Sequence, residues 1–118
     1  VRDQAITVMD WFPTVLELCG IKSKNEHPKL DGRSLKPIIE AADAPSHNEV
    51  MHWQWHTGWS VRKGGWKLLG RGTKASSLVN LNDPQPERKN YRNEKSELVR
   101  GMTELHLAWA REVKAEVR

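Results

Sequence analysis

Apolar residues between positions 10 and 20 recur at helical spacing. Trp11, Val15 and Leu18 share one face, flanked by Phe12, Leu16 and Cys19, which predicts a helix from about Asp10 to Cys19. Asp10 is its candidate N-cap, with Thr7 an earlier alternative. Pro13 fits the first turn, where backbone N–H groups have no intrahelical partner, and Gly20 supplies a left-handed stop. Residues 22 to 29, with Asn25 and Pro28, are polar and read as a loop. Asp31-Gly32 makes a turn, Ser34 can cap a short helix over Leu35 to Ala42 with Pro37 in its first turn, and residues 43 to 48 form another loop.

The period then changes from four to two. Val50, His52, Gln54 and His56 point one way and Met51, Trp53 and Trp55 the other. Trp59 and Val61 continue on a second strand, and Gly64-Gly65 marks a hairpin to a third, Trp66 to Leu69. Residues 70 to 76 are Gly-rich and basic and read as an exposed loop before a fourth strand, Leu78 to Leu81. Asn82 to Arg92 is an irregular connection. The last element is a long helix from about Glu94 to Val117, with Asn93 as candidate cap and Leu98, Met102, Leu105, Trp109 and Val113 as its apolar stripe. Gly101 costs such a helix roughly 1 kcal/mol relative to Ala, which predicts close packing there. The sum is an α+β unit: about four antiparallel strands packed by a long C-terminal helix and preceded by one or two short helices.

Composition narrows the classes. A chain of 118 residues allows one domain or part of one. Its 37% apolar fraction is low for a self-sufficient globule, so six Trp point to surfaces that meet something. The net charge of +4 is spread along the chain, without the run of like charges that marks a nucleic-acid arm. One cysteine rules out an internal disulfide, and no apolar stretch approaches the roughly 20 residues of a membrane helix. A start at Val1-Arg2-Asp3, with no initiator Met and no signal pattern, reads as a fragment or processed product.

Four segments together carry a family resemblance. Asp10-Trp11-Phe12-Pro13-Thr14 with Leu18-Cys19-Gly20-Ile21 resembles the Asp-Leu-x-Pro-Thr … Leu-Ala-Gly helix of the sulfatases, the arylsulfatase-like sulfuric ester hydrolases of the alkaline phosphatase superfamily. Leu30-Asp31-Gly32-Arg33-Ser34-Leu35 resembles their Leu-Asp-Gly-x-Ser-Leu turn. Val61-Arg62-Lys63-Gly64-Gly65-Trp66-Lys67-Leu68 resembles their Val-Arg-x-Gly-Asp-Trp-Lys-Leu hairpin. Asn80-Leu81 with Asp83-Pro84, Glu87 and Asn90 resembles their Asn-Leu … Asp-Pro … Glu … Asn segment. Each motif alone is weak, but their order and spacing over about residues 5 to 112 is specific.

The resemblance implies a single C-terminal sulfatase subdomain over residues 1–118, with the N-terminal catalytic domain as its missing partner. The intact family uses calcium and a formylglycine made from Cys or Ser in a Cys-x-Pro/Ala-x-Arg motif, and it hydrolyses sulfate esters of carbohydrate or aryl groups. Cys19, followed by Gly20-Ile21-Lys22, does not match that motif and reads as a packed helix residue. No catalytic residue, metal ligand or cofactor is therefore expected in this chain, and it should be inactive by itself. Family members are often secreted, periplasmic or lysosomal, and these residues do not choose a compartment.

The candidate substrate-binding residues are His52, Gln54, His56 and Arg62. Two His four apart on a strand lie ~13 Å apart and cannot share a metal. The plainer reading is a polar sheet face against the missing domain. Arg62, Lys63, Lys67, Arg71 and Lys74 could steer a sulfated substrate or merely solvate strand edges. Turn chemistry explains Asp31 and Asp83. The alternatives are a small basic Trp-rich module for nucleic acid or acidic polysaccharide, against which the scattered charge counts, and the equivalent part of a related phosphodiesterase or phosphonate hydrolase. A surface lacking its partner also predicts self-association, through the face of Trp53 and Trp55 or through the first helix.

Overall fold

The computed structural model describes residues 3–21 and 30–113. The loop expected at 22–29 and the last turn expected before Val117 lie outside the described residues. The chain divides into two compact units, Val1–Asn48 and Glu49–Arg118.

In the first unit a 3-10 turn, Val8–Asp10, leads into α1, Trp11–Leu18. Gly20 follows at φ 68°, the left-handed stop the sequence requires. α2 is Lys36–Glu40, shorter than the predicted 35–42. Pro37 sits in its first turn and the Ser34 hydroxyl accepts from the Lys36 N–H at 3.2 Å.

Asp10 does not cap α1. Its buried carboxylate faces away from the helix and accepts from the backbone N–H of Thr7 (2.8 Å), that of Arg33 (2.9 Å) and Asn48 Nδ2 (2.9 Å), with His47 Nε2 at 3.4 Å. One turn on, the buried Thr14 hydroxyl donates to the Asp10 carbonyl and accepts from the Leu35 N–H at 2.8 Å. Gly32 lies so close to the Met9 carbonyl that a Cβ there would overlap it. The Asp-x-x-Pro-Thr and Leu-Asp-Gly-Arg-Ser-Leu segments are therefore two halves of one hydrogen-bonded clamp. The clamp turns α1 inside out: the polar residues Asp10 and Thr14 are buried, while Trp11 (56% exposed), Phe12 (60%) and Leu18 (59%) face outward. Cys19, expected to be packed, is exposed as well.

The second unit is a four-stranded antiparallel meander, β1 (Val50–Trp55), β2 (Gly58–Lys63), β3 (Trp66–Arg71) and β4 (Lys74–Asn80), in that spatial order, followed by α3 (Ser96–Glu112). The segment read as a loop over 70–76 is mostly strand. Only Gly72 and Thr73 separate β3 from β4, Gly72 at φ 55°, and a register shift at Leu69/Gly70 absorbs one extra residue. A bulge of this kind hides the alternation on which a strand assignment rests. A second tight turn, His56-Thr57, joins β1 to β2, with His56 itself at φ 51°.

α3 covers the face built from Trp59, Val61, Leu68 and Leu78, which with Met102 form the buried core; Val50, Trp66, Tyr91, Leu98 and Val99 pack around it. Burying Trp59, Val61, Leu68 and Leu78 contributes about 1.5–3 kcal/mol per side chain. α3 starts at Ser96 rather than Glu94, because the Tyr91 carbonyl first accepts the N–H groups of Glu94 and Lys95 in a turn; Asn93 makes no cap. Its fully buried residues are Met102, His106 and Ala110, a row of fours, with Leu105 and Trp109 only partly buried. Nothing lies within 4 Å of a Cβ built on Gly101, so the close packing expected there is absent.

Candidate functional site

The sheet separates the candidates. His52 and Gln54 lie on the α3 face, in register with Val61 and Trp59. Arg62 pairs with Met51 and Lys67 and points to the opposite face, because side chains alternate along a strand. His56 leaves the strand altogether: it occupies the turn after β1, exposed, with its ring edge-on to Trp55 at 4.8 Å. The shared face expected for His52, Gln54 and His56 therefore holds only for the first two. The left-handed backbone of a non-Gly residue at position 56 takes it out of the alternation.

On the α3 face the imidazoles enter an aromatic stack. His106 lies flat on Trp59, centroids 4.2 Å apart and planes 12° from parallel, and His52 lies flat on Trp109 at 5.0 Å and 5°. The two His rings are 6.3 Å apart. Trp59 satisfies its indole by donating to the Gly72 carbonyl at 2.8 Å. Neither ring nitrogen of His106 has a hydrogen-bond partner, nor has Nδ1 of His52. Burial pushes both imidazoles below their ordinary value, with His106 adding to the effect on His52. Both rings pack flat within this aromatic cluster, and burial favours their neutral form. Sequence reading missed His106, since its position in the α3 stripe looked polar; its i+4 relation to Met102 and Ala110 was the available signal.

The face away from α3 carries the cations. Trp53, Ser60, Arg62, Lys67 and Leu81 line a shallow concavity of about 410 Å³. Lys67 Nζ pairs with Glu87 at 2.5 Å, and Arg62 Nε donates to the Gly64 carbonyl at 3.0 Å. Arg71 follows on the same strand face and donates from Nε to Thr57 Oγ1 at 3.0 Å. Lys63 projects to the other face, and Lys74 opens β4 directly opposite Arg71, on the same face as Arg71. Only Lys63 leaves the basic cluster; Arg62, Lys67, Arg71 and Lys74 share one face.

No family model and no curated protein matches this chain. Among solved structures, the crystal structure of Ps i-CgsB matches with a TM-score of 0.72 at 21% identity, over 91% of this chain and 24% of that one. The chain spans about a quarter of the length of that neighbour. The likeness is one of fold.

Among the described residues, no side-chain group is arranged to hold calcium or to supply a formylglycine. Among the described residues no group of three or more His, Cys, Asp or Glu could hold a metal ion. The Asp10 carboxylate is already taken up by its donors, and Cys19 lacks the surrounding motif. No helix among the described residues is long and apolar enough to cross a membrane.

Proposed function

We propose that the chain is the C-terminal subdomain of a sulfatase whose intact form hydrolyses sulfate esters, and that its task is to complete that enzyme's fold and wall one side of the substrate cleft. The observation that carries this reading is the inside-out α1. A helix anchored by buried Asp10 and Thr14, with Trp11, Phe12 and Leu18 more than half exposed, presents an apolar face that a larger partner would cover. The four sulfatase-like motifs and the fold likeness to one quarter of a longer chain support the same assignment. The partner is the N-terminal catalytic domain, which brings the calcium and the formylglycine. Of the four substrate candidates the proposal keeps His56, exposed in its turn, and Arg62, on the face away from α3; His52 and Gln54 lie on the α3 face, where the His52 ring stacks on Trp109.

The test compares the 118-residue chain with the longer protein that contains it, using an aryl sulfate and calcium. The longer protein should turn over and the chain alone should not. Turnover by the chain alone, or a bare Ser or Thr nucleophile upstream in place of Cys-x-Pro/Ala-x-Arg, would sink the reading; the latter would point to a phosphodiesterase-like parent.

A further inference from the structure

Arg62 and Lys67 stand directly opposite each other on neighbouring antiparallel strands, on one face. Like charges so placed repel, and only one of them is answered: Glu87 neutralises Lys67. Arg62 commits its Nε to a backbone carbonyl, which leaves the terminal nitrogens of the guanidinium without a partner among the described residues. One register step away, Trp53 lies opposite Ser60 with its indole 46% exposed. Leu81 closes the concavity.

An indole face beside a free guanidinium fork, an ammonium and a hydroxyl matches one class of ligand. The apolar C–H face of a sugar ring stacks on Trp53, and an anionic substituent receives the Arg62 fork. Single-stranded nucleic acid would need successive stacking platforms along a basic track, and here a single Trp lines the concavity. We propose that this concavity is a binding subsite for a sulfated carbohydrate, with Trp53 as the stacking platform and Arg62 as the sulfate contact; the choice of sulfate among anions rests on the sulfatase reading.

The test is titration of the isotope-labelled chain with glucose sulfate, glucose phosphate, glucose and oligothymidylate, followed at the Trp53 indole N–H. Glucose sulfate should bind most tightly. Arg62→Gln should weaken it about tenfold, the loss of roughly one charge-assisted hydrogen bond. Arg62→Lys should recover part of that loss, and Lys74→Gln should change nothing. Trp53→Ala should weaken glucose sulfate and glucose alike. Equal binding of glucose and glucose sulfate, tighter binding of the phosphate sugar or of oligothymidylate, or indifference to Arg62→Gln in a chain that keeps its dispersed spectrum would each overturn the proposal. Binding is read without turnover, so the two readings fail separately. Turnover by the longer protein with no binding here removes the subsite alone. Binding here with no turnover there removes the sulfatase.

Discussion

His106 of α3 lies parallel to Trp59 of β2 with ring centroids 4.2 Å apart, in the most buried part of the second unit, and neither of its nitrogens has a partner. An imidazole so placed is tolerated only while neutral. Because burial lowers its native value below 6.5, the unfolded chain binds the proton more readily. Its contribution is complete above about pH 6.5 and is lost as pH falls toward the lowered native value, with a slope of at most about 1.4 kcal/mol per pH unit. Urea unfolding followed by Trp fluorescence should show the midpoint falling between pH 7 and 5. His106→Leu should flatten that profile whatever it does to stability at pH 7. An unchanged slope in the variant would refute the assignment.

Asp10 behaves in the opposite pH range for a different reason. Burial alone would raise its carboxyl, but the hydrogen bonds from Arg33, Thr7 and Asn48, with His47 beside it, hold it down at about 2. The stabilisation is complete above the ordinary value of 3.8 and is lost as pH falls from there to about 2. Asp10→Ala should cost the first unit about 3 kcal/mol, since it strands several buried donors at once. Loss of amide protection at Thr7 and Arg33, with the sheet unaffected, is the expected signature in hydrogen exchange.

Gly70 has the edge of the Trp59 indole where a Cβ would sit. Gly70→Ala should therefore destabilise the sheet by about 1–3 kcal/mol, whereas Gly101→Ala, with open space around its Cβ, should stabilise α3 by up to about 1 kcal/mol. Thermal unfolding of the two variants should move in opposite directions.

β1 is an edge strand, and Trp55 on it is 79% exposed. Edge strands with exposed apolar side chains recruit further strands. Light scattering of the isolated chain should show concentration-dependent association, and Trp55→Lys should reduce it. A monomer at every concentration would contradict this.

Much of this architecture is legible in the sequence. The switch from helical to alternating periodicity at Val50, the Gly64-Gly65 hairpin and the core line of Trp59, Val61 and Leu68 all follow from local rules that tertiary contacts happen to reinforce. The misses have specific causes. The strand from Lys74 to Ser77 was hidden by a bulge and by charged residues at its turn. The role of Asp10 was hidden because an acidic residue before an apolar run looks like a cap, whereas its partners sit 23 and 38 positions away. The candidate site divided because one left-handed residue, His56, breaks the alternation on which a shared face depends.

The clamp joining Asp10 and Thr14 to Arg33 and Leu35 also bears on how this chain can vary. Its four groups join residues on either side of the stretch between Thr14 and Arg33 without specifying that stretch's length. As a general rule, doubling the length of a connection adds only about 0.6 kcal/mol to the cost of closing it. Insertions between the two motifs should therefore accumulate freely, while neither motif can lose its Asp, its Thr or its Gly. A search that holds the spacing fixed would miss relatives that keep every atom of the clamp.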